Sequence, residues 1–222
     1  MQEQLRILQR VGKVLIAVGL IDIAVMIYCI VNSISYASSF NIFAVIGGIF
    51  LVRGNLRAAG IITWITAFLI AIFAGIPFVL PLLQPLDFTL LQFRLYPSSI
   101  ALTAGFWVFA ITLLAWVLRE LRNESVIEAR TQSGRKIRSL RTPLALGFLL
   151  VVILVVVLPI YLNSETGHLA QAKASEQLGP GYKYFVNALQ VNYSSQGKFV
   201  TATVTAYNDH EIRIVPLRWS EK

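Results

Sequence analysis

RELRNESVIEARTQSGRKIRSLRT, residues 119–142, holds seven of the chain's nineteen basic residues and lies between two strongly apolar stretches. The one behind it, PLALGFLLVVILVVVLPIYL (143–162), carries no charge at all. Short loops rich in Lys and Arg stay on the cytoplasmic side of a membrane because they are not translocated. Residues 119–142 are therefore read as a cytoplasmic turn. Working outward, the other apolar stretches are 13–32, 36–52, 59–83 and 99–118. Arg6, Arg10 and Lys13 precede the first, and Arg53 and Arg57 follow the second. The intervening turns are basic-poor: 33–40 has no charge, and 84–98 has only Asp87 and Arg94. This alternation predicts five crossings, with the amino terminus inside and residues 163–222 delivered outside the cytoplasm of an inner or plasma membrane.

The composition agrees with that reading. Apolar residues make up 56% of the 222 and charged residues 14%, against roughly 25% charged in soluble domains. The net charge of +8 suits nucleic acid in principle. However, twelve of the nineteen basic residues fall in the segments assigned to the cytoplasmic side, where they meet anionic headgroups at about 1 kcal/mol each. No nucleic-acid partner is expected. Arg135, Lys136, Arg138 and Arg141 form a lipid-headgroup anchor just before Pro143.

The second stretch is the short one, since its purely apolar part runs only from Ile42 to Val52 and contains Gly47-Gly48. A re-entrant loop competes with a crossing here. Charge decides for the crossing, because without it the seven basic residues of 119–142 would lie outside. Pro77, Pro81 and Pro85 recur every four residues near the end of the third stretch. Together with Gly47 and Gly48 they mark candidate helix breaks. The first stretch can also be read as a cleaved signal ending at Ser35-Tyr36-Ala37. Its apolar run is longer than a usual signal core of about 7–15 residues and contains Asp22, which argues for a retained span.

LDFTLLQFRLY, residues 86–96, lies between Pro85 and Pro97 and reads as a short helix on the outer membrane surface. Phe88, Leu91 and Leu95 share one of its faces, flanked by Leu90 and Phe93. RELRNESVIEAR reads as an uninterrupted continuation of the fourth span. Beyond Leu162 the composition changes, and two domains are expected: 1–162 in the membrane and 163–222 outside it. In the second, a helix capped by Asn163 or Ser164 runs to Leu178 and stops at Gly179-Pro180-Gly181. Three strands follow, 182–194, 198–207 and 211–219, with turns at 195–197 and 208–210. The fold class is thus an integral membrane protein, mostly α, ending in a small α+β domain with a three-stranded antiparallel meander. Val200, Ala202, Val204 and Ala206 should line one face of the middle strand, and Phe199, Thr201, Thr203 and Thr205 the other.

Chemistry-bearing residues are sparse. Asp22 is the one acid deep in a span, and such a group faces protein and finds a partner. Thr63, Thr66 and Thr103 are candidate donors from other spans, giving either a polar site for protons or cations or a buried hydrogen bond that fixes register. His168 and His210 are the only histidines, and Cys29 is the only cysteine, so no metal site, cofactor or disulfide is expected. No HExxH, GxSxG or phosphate-cradling glycine loop occurs, and no enzyme is expected. No family motif is matched residue by residue. In layout alone, a last membrane helix followed by a helix and three strands is similar to some small oxidase-assembly factors.

Two functions follow. One is an accessory, assembly or interaction subunit of a membrane complex, meeting other subunits or a second copy through its outer domain. Phe185, Leu189, Tyr193 and Trp219 are the candidate docking residues, because one short helix cannot easily cover them. The other is a small oligomeric channel or transporter built on Asp22 and the broken helices.

Overall fold

The computed structural model describes residues 2–33, 41–194 and 197–221. Residues 36–40 of the expected second span, the Ser35-Tyr36-Ala37 cleavage alternative and Ser195-Gln196 of the first hairpin turn lie outside the described residues. The elements in chain order are α1 (Gln2–Val31), α2 (Asn41–Val52), α3 (Leu56–Leu83), α4 (Leu86–Leu95), α5 (Pro97–Leu121), α6 (Glu124–Gln132), α7 (Arg141–Leu162), α8 (Glu165–Leu178), β1 (Lys183–Ser194), β2 (Gly197–Tyr207) and β3 (Ile212–Glu221).

The structure is mostly helical, and four helices are long and apolar enough to cross a membrane: α1, α3, α5 and α7. The second expected span differs. In the described residues it is the 12-residue helix α2, about 18 Å long against a hydrocarbon core of about 30 Å. A second difference lies after α5. The helix expected to continue through 119–130 stops at Leu121, and a new one begins at Glu124. Asn123 makes the break. Its side-chain carbonyl accepts the Ser125 backbone N–H at 3.2 Å and caps α6, a competition with helical bonding typical of Asn.

By their contacts the elements fall into two compact units, Met1–Phe73 with Val108–Gly147, and Ala74–Trp107 with Phe148–Lys222. In the first, Ile7, Leu8 and Val11 of α1 pack with Leu51 of α2, Ala59 of α3, Val117 and Leu121 of α5, and Val126 of α6. Gly12 and Gly48 bring α1 and α2 together. A Cβ on Gly12 would lie 2.6 Å from the Gly48 carbonyl oxygen, and a Cβ on Gly48 would lie 2.6 Å from that of Gly12. Neither position admits a side chain, so the two backbones touch as in close-packed membrane helices.

In the second unit, α3 and α7 are in contact at Gly75 and Val151. The sheet has strand order β1-β2-β3, antiparallel throughout. Val200, Ala202, Val204 and Ala206 are all buried, as the alternation of β2 requires. Ala202, Val204 and Ala206 form a core with Ala170 and Ala174 of α8, Val186 of β1, Val215 and Leu217 of β3, and Leu162 at the end of α7. Leu158 of α7 packs against the same core. The domain boundary expected after Leu162 therefore falls within a shared core. Gly179, at φ 83°, ends α8 where glycine was expected to stop it.

One end of the other face of the sheet is covered by α4, while Phe199 and Ile214 on that face stay exposed. Phe88 and Leu91 are buried in a cluster with Phe185 and Tyr207, and Leu95 packs against it. The face expected on the membrane surface thus lies on the sheet. Leu86, Leu90 and Phe93, on the outer face of α4, are the exposed apolar residues instead.

Candidate functional site

The site with the most specific geometry is the junction of α4 with β1 and β2. Pro85 opens α4 with its φ at -57°, leaving Asp87 in the first turn, where a carboxylate is favoured by the helix dipole. Asp87 Oδ1 accepts the Phe88 backbone N–H at 3.0 Å and the Tyr207 hydroxyl at 2.9 Å. Lys183 Nζ donates to Oδ2 in an ion pair. Beneath them the Phe88 ring meets Phe185 edge-on at 4.7 Å between centroids and Tyr207 at 5.1 Å, a geometry favoured by the ring quadrupoles. The Lys183 and Tyr207 hydrogen bonds hold the Asp87 carboxyl below its ordinary range. The same carboxylate raises the Lys183 ammonium. Burial first, and the bond to Asp87 second, push the Tyr207 hydroxyl up. With both oxygens of Asp87 engaged, the arrangement is a latch that holds α4 on the sheet.

A second polar cluster lies at the same end of the meander, between the start of β1 and the start of β3. Tyr182 donates its hydroxyl to Glu211, and Arg213 Nη2 lies 3.0 Å from Glu211 Oε1. The Tyr182 and Arg213 bonds lower the Glu211 carboxyl, and the Glu211 carboxylate raises the Tyr182 hydroxyl. Arg213 also lies 5.6 Å from the Tyr182 ring centroid.

The four docking candidates go to different places. Between Val186 and Ala188 the register of β1 shifts at a bulge, and one extra residue exchanges the faces of everything beyond it. Phe185 is buried against α4, whereas Leu189 packs on the α8 side. Trp219 is also on the α8 side, with Lys173 Nζ 5.8 Å from its ring centroid. Tyr193 is 80% exposed near the end of β1. That strand is an edge of the sheet, with no strand on its outer side among the described residues.

Asp22 is half-buried on α1. Thr63 donates its hydroxyl to the Ala59 carbonyl at 2.6 Å, and Thr103 donates to Ser99 at 2.8 Å. Those protons are engaged within their own helices, while Thr66 is buried on α3. Gly47 and Gly48 lie within an unbroken α2: Gly47 faces Ile62 of α3 and Gly48 faces α1. Pro77 and Pro81 lie within the assigned length of α3. Arg135 is half-buried, and Lys136, Arg138 and Arg141 are exposed. His168 is in α8 and His210 in the turn before β3; among the described residues no three His, Cys, Asp or Glu side chains converge.

Asp87 was missed as a site residue. The available signal was its place as the one acid of the 84–98 connection, two residues after a helix-opening proline. Its partners, Lys183 and Tyr207, are 96 and 120 residues away. Compared with family models, curated proteins and solved structures, the chain has no match.

Proposed function

We propose that this chain is a non-enzymatic integral membrane protein, an accessory, assembly or interaction subunit that presents its C-terminal sheet to a partner outside the cytoplasm. The observation that carries this reading is the β1 edge. The sheet is packed by α8 on one face and, at one end of the other, by α4, and β1 is a 12-residue edge strand without proline. Natural sheets blunt such edges with proline and charge. β3 does so, with Pro216 at its centre and Arg213 and Arg218 along it. The contrast leaves β1 beyond its bulge at 186–188 as the edge suited to receive an extended segment of a partner, with backbone hydrogen bonds supplying affinity. Exposed Tyr193 is the aromatic anchor beside it.

The orientation belongs to the same proposal. Twelve of the nineteen basic residues flank one set of helix ends, which supports five crossings with 119–142 inside and 163–222 outside. Because α2 has only 12 residues, the second crossing also needs residues 34–40 to contribute. Single cysteines at Ser133→Cys and Asn192→Cys in a Cys29→Ala background test the orientation. An impermeant reagent on intact cells should label the Asn192→Cys protein alone. Labelling of the Ser133→Cys protein would reverse the assignment. Native mass spectrometry of the gently extracted protein tests the subunit role, and a mass accounted for by this chain alone would remove it. The channel or transporter alternative rests on Asp22 together with breaks at Gly47-Gly48 and Pro77-Pro81. The helices continue through those positions, which lends the helix-break part of it no support.

A further inference from the structure

Val126 is fully buried in the core of the first unit and anchors α6 there. One turn further on, Arg130 is only 8% exposed, and its Nε is buried with no hydrogen-bond partner among the described residues. The guanidinium fits because position 60 is glycine. A Cβ on Gly60 would lie 2.7 Å from Arg130 Nη2, close enough to displace it. Burial, then Arg135 and Arg122, lowers the Arg130 pKa, so neighbouring charge opposes this cation. Arginine does not escape such a site by losing its proton. A buried, unpaired charge costs several kcal/mol and is retained where something neutralises it.

Arg130 lines a pocket of about 650 Å³ together with Arg57, Arg135, Lys136 and Arg138, and no acidic side chain is among its walls. That volume is in the range of small-molecule sites. Leu56 and Ile61 form an apolar wall on the α3 side. Five cations around one pocket exceed what a single carboxylate balances. They match a group with several anionic oxygens, which a guanidinium binds through paired N–H donors.

We propose that this pocket binds a phosphate group, with Arg130 as its central donor and Arg57, Arg135, Lys136 and Arg138 supplying the surrounding charge. The phosphate belongs either to an anionic lipid headgroup, for which Leu56 and Ile61 offer an apolar shoulder, or to a soluble phosphate compound. This is a defined site with a buried donor, distinct from the diffuse attraction of headgroups to an exposed basic cluster.

The full chain in phosphatidylcholine nanodiscs tests it in two arms, one titrated with inorganic phosphate and one containing increasing phosphatidic acid. The readout is the rise in thermal midpoint and the concentration or mole fraction giving half of it. A rise with phosphatidic acid alone assigns the site to a headgroup, whereas a rise with inorganic phosphate as well assigns it to a free phosphate group. In the responding arm, Arg130→Gln should weaken half-saturation about ten-fold or more, the scale of a lost charge-assisted hydrogen bond. Arg141→Gln, which removes the same charge outside the pocket, should change it less than about two-fold. Gly60→Ala keeps every charge while obstructing the guanidinium, so it should also weaken binding, and it serves if Arg130→Gln fails to fold. No rise in either arm would overturn the proposal. So would equal weakening by Arg130→Gln and Arg141→Gln, or unchanged binding in Gly60→Ala.

Discussion

The two faces of the C-terminal sheet are built by different means. The α8 face has a smooth aliphatic centre, with larger rings only at its margin: Ala170 and Ala174 of the helix lie on Ala202, Val204 and Ala206, all at 0–1% exposure. Helix and strands adjoin in sequence, so a short connection delivers one to the other. The α4 face is aromatic and ionic, with Phe88 between Phe185 and Tyr207 and Asp87 joined to Lys183 and Tyr207. It is assembled from segments about a hundred residues apart. Small side chains suffice where chain connectivity sets the geometry. Large rings and directed polar bonds are used where a distant helix has to be captured in one register.

Removing the distant partner altogether is the most damaging way to test this contrast. An excised fragment 163–222 keeps α8 but loses Leu158 and Leu162 from one face and Phe88, Leu91 and Leu95 from the other. About sixty residues without a disulfide are already marginal. The fragment is expected to be unfolded or self-associated. A dispersed amide spectrum with a cooperative monomeric melt would refute a shared core. Next comes Phe88→Ala in the full chain, expected to destabilise the sheet by about 3–5 kcal/mol as a buried aromatic deletion. Hydrogen exchange should show lost protection around Phe185 and Tyr207, while the α8 contacts stay protected. Equal loss on both faces would mean that the two are not separable.

The smooth face should fail in the opposite sense. Ala170→Leu overfills a contact that has no exposed surface, at a cost of about 1–3 kcal/mol, whereas truncation there removes little. A neutral or stabilising Ala170→Leu would show unfilled space between α8 and the sheet.

The smallest effect concerns pH. The folded pKa of Asp87 is depressed below 3.8, so its contribution is present above that value and lost as pH falls through the folded one. The folded pKa of Lys183 is raised above 10.5, so its contribution is present below that value and lost as pH rises through the folded one. The latch is therefore fully formed between those limits. Because both groups are exposed, the effect on the melting midpoint should be small. Asp87→Asn should flatten both limbs, and an unchanged profile in that variant would place the pH dependence elsewhere.

Much of this was legible in the sequence. The alternation of β2, the glycine after Leu178 and the long apolar runs express local rules, and the elements follow them. The apolar stripe of α4 was legible too, but an apolar stripe does not say whether lipid or protein covers it. Only the fold, which brings Phe185 and Tyr207 over Phe88, decides that. The bulge at 186–188 was hidden because period-two reading assumes unbroken parity, and one extra residue sends Leu189 to the face opposite Phe185. Arg130 was hidden because a basic run reads as a solvated cluster. Its burial depends on Asn123 ending one helix and on Gly60 leaving room in another.

The wide sequence separation across the α4 junction also imposes an order in time. Asp87 is made 96 residues before Lys183, an interval of about 5–20 s at ordinary rates of synthesis. During that interval Phe88 and Leu91 have no sheet to cover them, and the nascent α4 must shelter them elsewhere. The three strands are made after α4, so this face of the sheet closes only once they have been synthesised.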